Sequence, residues 1–289
     1  MAAERTPMDA PRPIPEDWLS LREGADARAR AGTRESVRAL VARHRPDVVV
    51  DVGTGTGAGS RWSAPLLDGD EQWVLIDHDP ALLRTAASGL RAAGARGGIT
   101  EELADLSCLS RVLDEHRRGD ASVLVITSAL LDLLTEPQLT GLLDDVASYG
   151  VPLVAALTVT GGWRIDPDDP EDDLVRRAFD GHQRRGDRLG PQAADRARAL
   201  AEARGLPVRA LPTPWLLDST AGARDSSLIR RLLTDRVEAA AEELDHVGDR
   251  DGAEQAQRWL ARRLDRLAGD GLSLRIDHVD LLIGGACGT

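Results

Sequence analysis

The sequence predicts an α/β fold organised on a mostly parallel sheet, and two observations carry that expectation. Short apolar runs rich in β-branched residues recur at 48–52, 72–77, 121–128 and 151–160, separated by stretches with helical caps and stops. Such runs form parallel strands buried on both faces, because the crossovers between them cover the sheet. The first run, moreover, ends in an acid and then places glycine at every second position, Val48 to Ser60 reading VVVDVGTGTGAGS. Glycine accepts positive φ and lets backbone approach closely. The stretch therefore reads as strand, tight turn and helix start, a geometry that lines up N–H groups for a carboxylate, a phosphate or a ribose edge.

Taken in order, residues 1–15 are proline-rich and polar and are expected to form a flexible arm. Residues 16–46 should hold two helices. The first, from Asp17, gathers Trp18, Leu19, Leu21, Ala25 and Ala29 on an apolar face; the second runs from Thr33, an N-cap residue type, to His44 and stops before Pro46. After the first strand and its helix, 72–77 (QWVLID) is a second strand ending in Asp77, and Pro80 suits the first turn of the next helix. A third strand is expected at 99–106, with Asp105 near its end, and a fourth at 121–128, followed by a short loop and Thr135 as N-cap. The fifth, 151–160, should be closed by Gly161, Gly162 and Trp163. The acidic run 166–173 is expected to be a solvated loop and helix N-terminus, where carboxylates suit the dipole. Helices over 174–185 and 192–204 lead to a sixth strand, 207–215, broken by prolines and ending in Trp215. Two helices, 226–245 and 253–267, precede a last strand at 272–283. The expected organisation is thus a core over 47–215, a helical insertion over 216–270 that serves as a cap or a homodimer surface, and a last strand with its tail over 271–289.

Composition narrows the function classes. The formal net charge of −12 argues against a nucleic-acid partner, whose affinity comes largely from clustered cations. All 36 basic residues are arginine, which removes Schiff-base chemistry and the phosphate-loop lysine. Cys108 and Cys287 lie far apart without metal-ligand spacing, so no disulfide framework and no metal site are expected, and a reduced cytoplasm is. No apolar run approaches the ~20 residues of a membrane span, and the N-terminus lacks the apolar segment of a secretory signal.

Two cofactor classes use a glycine-rich turn after a strand. Gly53, Gly55 and Ala58 fit the looser form of the dinucleotide fingerprint. In either class an acid at the end of the neighbouring strand, here Asp77, can accept hydrogen bonds from ribose hydroxyls. The whole stretch Asp51-Val52-Gly53-Thr54-Gly55-Thr56-Gly57 resembles motif I of the class I S-adenosylmethionine-dependent methyltransferases, D/E-x-G-x-G-x-G. The segments WLSLREGADARAR, PTPW and RIDHVDLL also look like those of uncharacterised small-molecule methyltransferases of actinobacteria.

The resemblance implies a seven-stranded Rossmann-like sheet with an antiparallel last strand, and S-adenosylmethionine as cofactor. It places Asp51, Gly53, Thr54, Gly55 and Gly57 in the cofactor turn, Asp77 and His78 at the ribose, and Asp105 and Leu106 at the adenine. Ser128 would sit at the carboxyl edge, and Arg30 or Arg22 would pair with the methionine carboxylate. Asp132 would lie beside the transferable methyl, on the acceptor side. From residue chemistry, Trp163 and Trp215 at strand ends offer aromatic surface for a sulfonium or a planar acceptor, and His182 is the first candidate for a general base.

The expected activity is methyl transfer to a small molecule through an O, N or C nucleophile. A nicotinamide-dependent oxidoreductase is the alternative, although a chain with no lysine and one tyrosine lacks the common short-chain catalytic set. A cofactor-binding protein without catalysis, acting as an assembly partner, is the third reading.

Overall fold

A computed structural model describes residues 15–117 and 121–285; the expected arm lies outside them but for Pro15, as does Cys287. In chain order the elements are α1 (Glu16–Ala29), α2 (Arg34–His44), β1 (Val48–Val52), α3 (Ala58–Ser63), β2 (Gln72–Asp77), α4 (Pro80–Ala92), β3 (Ile99–Leu103), α5 (Leu109–Arg117), β4 (Val123–Ser128), α6 (Glu136–Tyr149), β5 (Leu153–Asp166), α7 (Asp172–Gln183), α8 (Ala193–Glu202), β6 (Val208–Pro212), β7 (Trp215–Asp218), α9 (Ala223–His246), α10 (Arg250–Ala268) and β8 (Ser273–Ile283). They form one sheet in the order β3-β2-β1-β4-β5-β8-β6, with β7 beside β6 on the same edge of β8. The first five strands in that order run parallel, and β8 is antiparallel to β5, β6 and β7. This is the α/β, Rossmann-like arrangement the sequence predicts, with eight strands in place of seven. The expected sixth strand is two, because Thr213-Pro214 interrupts it and Pro214 has no N–H to give a ladder.

Alternation along β1 divides the core. Val48, Val50 and Val52 pack with the helices α5, α6 and α8 on one face, and Val49 packs with Trp62, Trp73 and Leu83 on the other. Such strands are buried throughout, hence their continuous apolar runs. By contrast β3, at the edge, is mostly exposed and ends at Leu103, earlier than expected.

Beyond the carboxyl edge the fold departs from expectation in one important way. The fifth strand does not close at Gly161-Gly162; it continues to Asp166 through two register shifts against β8. The two glycines form the second irregularity. Gly161 has φ 80°, and a Cβ there would stand 2.7 Å from Pro191 Cβ, so the strand bends over the following turn instead of ending. The extended β5–β8 ribbon, joined by β7, supports a third apolar cluster with α1, α7, α9 and α10. The acidic run is correspondingly less solvated than expected: Asp169 binds Arg262, and Asp172 accepts from Trp259 Nε1 and Arg263, which fixes α10 to the start of α7. No helix among the described residues is long and apolar enough to cross a membrane.

Candidate functional site

The chain leaves β1 toward β2 and leaves β4 toward β5, on opposite sides, although β1 and β4 are neighbours. That reversal opens a crevice at the carboxyl edge of an α/β sheet, and the glycine turn stands in it. Gly53, Gly55 and Gly57 all adopt left-handed backbone, with φ of 65°, 54° and 80°. The Gly53 and Thr54 N–H groups donate to the Ile76 carbonyl at 2.9 and 3.0 Å, which ties the turn to β2. Two of the glycines also answer packing needs. A Cβ on Gly57 would lie 2.9 Å from Ala86 Cα in α4, and one on Gly59 would lie 3.2 Å from Ser128 Cβ. The glycine count alone is therefore no measure of ligand contact.

Two acids frame the turn. Asp51 is buried at the end of β1, where its Oδ2 accepts from Thr54 Oγ1 at 2.9 Å and from Ser60 Oγ. Burial pushes its pKa up to about 6, against the pull of those two hydroxyls. Asp77 accepts from the Gly55 N–H at 2.8 Å on Oδ2 and from the Asp79 N–H at 3.0 Å on Oδ1, with His78 Nδ1 3.3 Å away. A carboxylate has about four acceptor sites, so Asp77 braces the turn and keeps capacity for a ligand hydroxyl. The helix cap is Asp79 rather than Asp77.

At the end of β3, Asp105 is exposed and caps the turn that follows. Its Oδ1 accepts from the Ser107 N–H at 2.9 Å and from Ser107 Oγ, which hold its pKa below the usual carboxylate range. Leu106 opens that turn and is half-buried. Leu103, in register with Asp77, is 62% exposed, an apolar surface that periodicity did not single out.

A cavity of about 210 Å³ adjoins the turn, lined by Asp26, Arg30, Gly59, Trp62, Ser128 and Leu157 among others. Ala129 and Leu157, directly after β4 and within β5, hold φ of 52° and 51°, uncommon for residues with a Cβ. Arg30 reaches this cavity from the N-terminal segment, but it is not a free cation. Its Nε donates to Asp280 Oδ2 at 3.0 Å, and its Cζ lies 3.6 Å from the centre of the Trp62 ring. Asp280 is fully buried and also accepts from Thr33 Oγ1 and the Leu157 N–H. Thr33 is thus spent on Asp280 and does not cap α2 as the sequence suggested.

The acceptor-side residues come from separate elements. Asp132, in a short 3-10 turn after β4, has a buried Oδ1 without a partner, and burial pushes its pKa up to about 6. Trp163 is half-buried and meets Trp259 edge to face at 6.2 Å. Trp215 is 3% exposed; its Nε1 donates to Asp26 Oδ1 at 3.0 Å, so it packs α1 against the ribbon and offers little surface to a ligand. Asp26 in turn takes both Arg22 Nε and Nη2. His182 projects from α7 toward α9, where its Nε2 lies 3.2 Å from Glu242 Oε2, and burial holds its pKa below the ordinary value. His278, on β8, has its ring 5.1 Å from that of Trp215, and its Nδ1 has no partner. Burial, with Arg22 and Arg236 nearby, lowers its pKa to about 3, so it is neutral near pH 7. Arg236 drew no notice in the sequence because it sits in an ordinary amphipathic helix pattern.

No protein-family model matches the chain, and no curated protein matches it. Similarity is found among solved structures. A putative methyltransferase from Bacillus halodurans C-125 matches with a TM-score of 0.50 at 11% identity, over 88% of this chain and 99% of that one. A cyclopropane synthase from Mycobacterium tuberculosis matches with a TM-score of 0.46 at 10% identity, over 86% and 83% of the two chains. An S-adenosylmethionine-dependent methyltransferase from Geobacter sulfurreducens, solved with S-adenosyl-L-homocysteine, matches with a TM-score of 0.44 at 15% identity, over 94% and 99%. The chain accordingly shares with the Bacillus protein a Rossmann-like α/β fold with a mostly parallel sheet.

Proposed function

We propose that this chain transfers a methyl group from S-adenosylmethionine to a small-molecule acceptor. The observation that carries the reading is the pairing of Asp77 with the glycine turn, an acid at the tip of the neighbouring strand fixed to the Gly55 N–H with acceptor capacity left over. The residues present suit this cofactor. Asp77 would accept from the ribose hydroxyls, with His78 beside it, and Leu103, Asp105 and Leu106 would border the adenine. Gly53, Thr54, Gly55 and Gly57 would form the floor, held by Asp51 beneath, while Ser128 and Arg30 would surround the methionine portion in the cavity next to Gly59. When bound, the cofactor supplies an electrophilic methyl on a sulfonium.

Methyl transfer asks the protein mainly to position the nucleophile and exclude water. Asp132 suits proton acceptance better than His182, since its Oδ1 is buried and unpaired and burial raises its pKa to about 6, whereas His182 is engaged by Glu242. A net charge of −12 favours a small acceptor over nucleic acid, and two widely separated cysteines favour a cytoplasmic site of action.

Calorimetric titration with S-adenosylmethionine, S-adenosylhomocysteine and NADH in parallel tests the reading. Micromolar binding of the two sulfur ligands with none for NADH is the expected outcome. Binding of NADH alone would replace methyl transfer with hydride transfer.

A further inference from the structure

Three arginines are buried among the described residues, Arg30, Arg236 and Arg263. Two are neutralised within the protein, Arg30 by Asp280 and Arg263 by Asp172. Arg236, on α9, is 8% exposed, yet it makes no hydrogen bond and no ion pair among the described residues, and its Nε is buried without a partner. What surrounds it is aromatic: its Cζ lies 4.4 Å from the centre of the Phe179 ring and 5.0 Å from that of Trp163. Cation–π attraction offsets part of the burial cost, but a ring face does not replace the oxygen acceptors a guanidinium fork is built for. Asp180 is the acid whose charge reaches it, without contact.

The neighbourhood shares this incompleteness. Trp163 Nε1, Thr158 Oγ1 and His278 Nδ1, all on the β5–β8 ribbon, are likewise buried without partners. Buried polar groups in native proteins are overwhelmingly paired, so these orphans call for polar partners, water or a ligand, in this region. The half-buried rings of Trp163 and Phe179 lie against Arg236, and the half-buried Asp180 is the acid nearest it in charge.

We propose that Arg236 is the anchor for a carboxylate on the acceptor, with Trp163 and Phe179 flanking a planar body and the Trp163 indole N–H as a second donor. This rests on the methyl-transfer reading for the word acceptor alone; the anion site stands without it. The chemistry favours one negative charge rather than a phosphate dianion. Arg22, the next cation, is already chelated by Asp26, and His278 is neutral, so a single uncompensated positive charge is on offer. A carboxylate paired to a guanidinium is also a poor nucleophile, so the ion pair orients the acceptor and leaves another atom to be methylated.

The test uses the full chain, titrated with benzoate, 3-phenylpropanoate, 2-naphthoate, benzamide and inorganic phosphate, with and without S-adenosylhomocysteine. Affinity is read by calorimetry, and the six tryptophan indole N–H signals by nitrogen-15 NMR, with Trp163 assigned through Trp163→Phe. At least one carboxylate should bind tenfold or more tighter than benzamide and shift the Trp163 signal. Arg236→Met should abolish that preference while S-adenosylhomocysteine binds as in the wild type. Should Arg236→Met fail to fold, Arg236→Lys, which keeps the charge and loses the fork, should weaken the carboxylate at least threefold. Carboxylates binding no better than benzamide, phosphate binding better than every carboxylate, or a preference that survives both substitutions would overturn the proposal. Carboxylate binding by a chain that ignores S-adenosylhomocysteine would instead uphold this site and sink the methyl-transfer reading.

Discussion

Replacing Gly57 by alanine isolates what the glycine turn contributes. Two costs are set by the structure. The first is conformational: Gly57 has φ 80° and ψ 21°, and an L-residue there costs about 1–2 kcal/mol. The second is steric. The new Cβ would stand 2.9 Å from both Cα and Cβ of Ala86 and 3.3 Å from its carbonyl oxygen, mostly backbone atoms that cannot rotate away, and overpacking of this kind costs about 1–3 kcal/mol. The sum is about 2–5 kcal/mol. Gly55→Ala is the internal control, because φ 54° imposes the same conformational cost while the nearest atom is the flexible Leu19 Cδ1 at 3.4 Å. It should lose about 1–2 kcal/mol only. Urea unfolding of wild type and both variants, followed by tryptophan fluorescence, reads the difference. The double variant Gly57→Ala with Ala86→Gly should recover only part, since the backbone of residue 86 still stands in the way. A Gly57→Ala protein no less stable than Gly55→Ala would refute the packing of the turn against α4.

Other consequences follow from single residues. Asp77→Ala is expected to weaken S-adenosylmethionine by about 1–3 kcal/mol through lost charge-assisted hydrogen bonds, measured by calorimetry; unchanged affinity would remove Asp77 from the site. Asp132→Asn should lower turnover by about 10²-fold or more with cofactor affinity intact, whereas His182→Ala should stay near wild type; the reverse ranking would restore His182 as the base. Because the folded-state pKa of Asp51 is raised to about 6, the folded chain holds a proton that the unfolded chain releases above about pH 4. The stability this supplies is complete below the unfolded pKa and is lost as pH rises through 6, an effect of about 2–3 kcal/mol. Asp51→Asn keeps a carbonyl acceptor for Thr54 and Ser60, so it should match the wild type near pH 4 and exceed it at pH 7 in urea titrations. Asp280→Ala leaves Arg30 buried and unpaired and should cost about 3–5 kcal/mol; a loss under 1 kcal/mol in the same assay would show that Arg30 finds water or another acceptor.

The strands of the parallel half were legible because double burial writes itself as unbroken apolar sequence, as in VVVDV and VLVITS. The edge strand β3 was placed but not bounded, since its exposed residues carry no such pattern. Gly161-Gly162 misled for a local reason: a glycine pair is as suitable for a bulge as for a stop, and what decides is Pro191, 29 residues beyond Gly162 in the chain. The cofactor-side residues could be ordered along the sequence because each follows a strand. Arg236 could not. Its meaning lies in the acid it lacks, and the absence of a partner is a property of three dimensions.

β8 supplies Leu281 and Ile283 to one apolar cluster, Leu282 to the opposite face, and Leu274 and Ile276 to the cluster with α9 and α10. It is the last strand in chain order, yet it lies between β5 and β6 in the sheet. On the ribosome this inverts the usual order of folding from the front. About 60 residues separate Pro212 from Ser273, so at ~5–20 residues per second a nascent chain spends several seconds with the facing edges of β5 and β6 unfilled. None of the three clusters can close before the final strand is threaded between strands made earlier. Until β8 arrives, two strand edges stand open to whatever binds such edges.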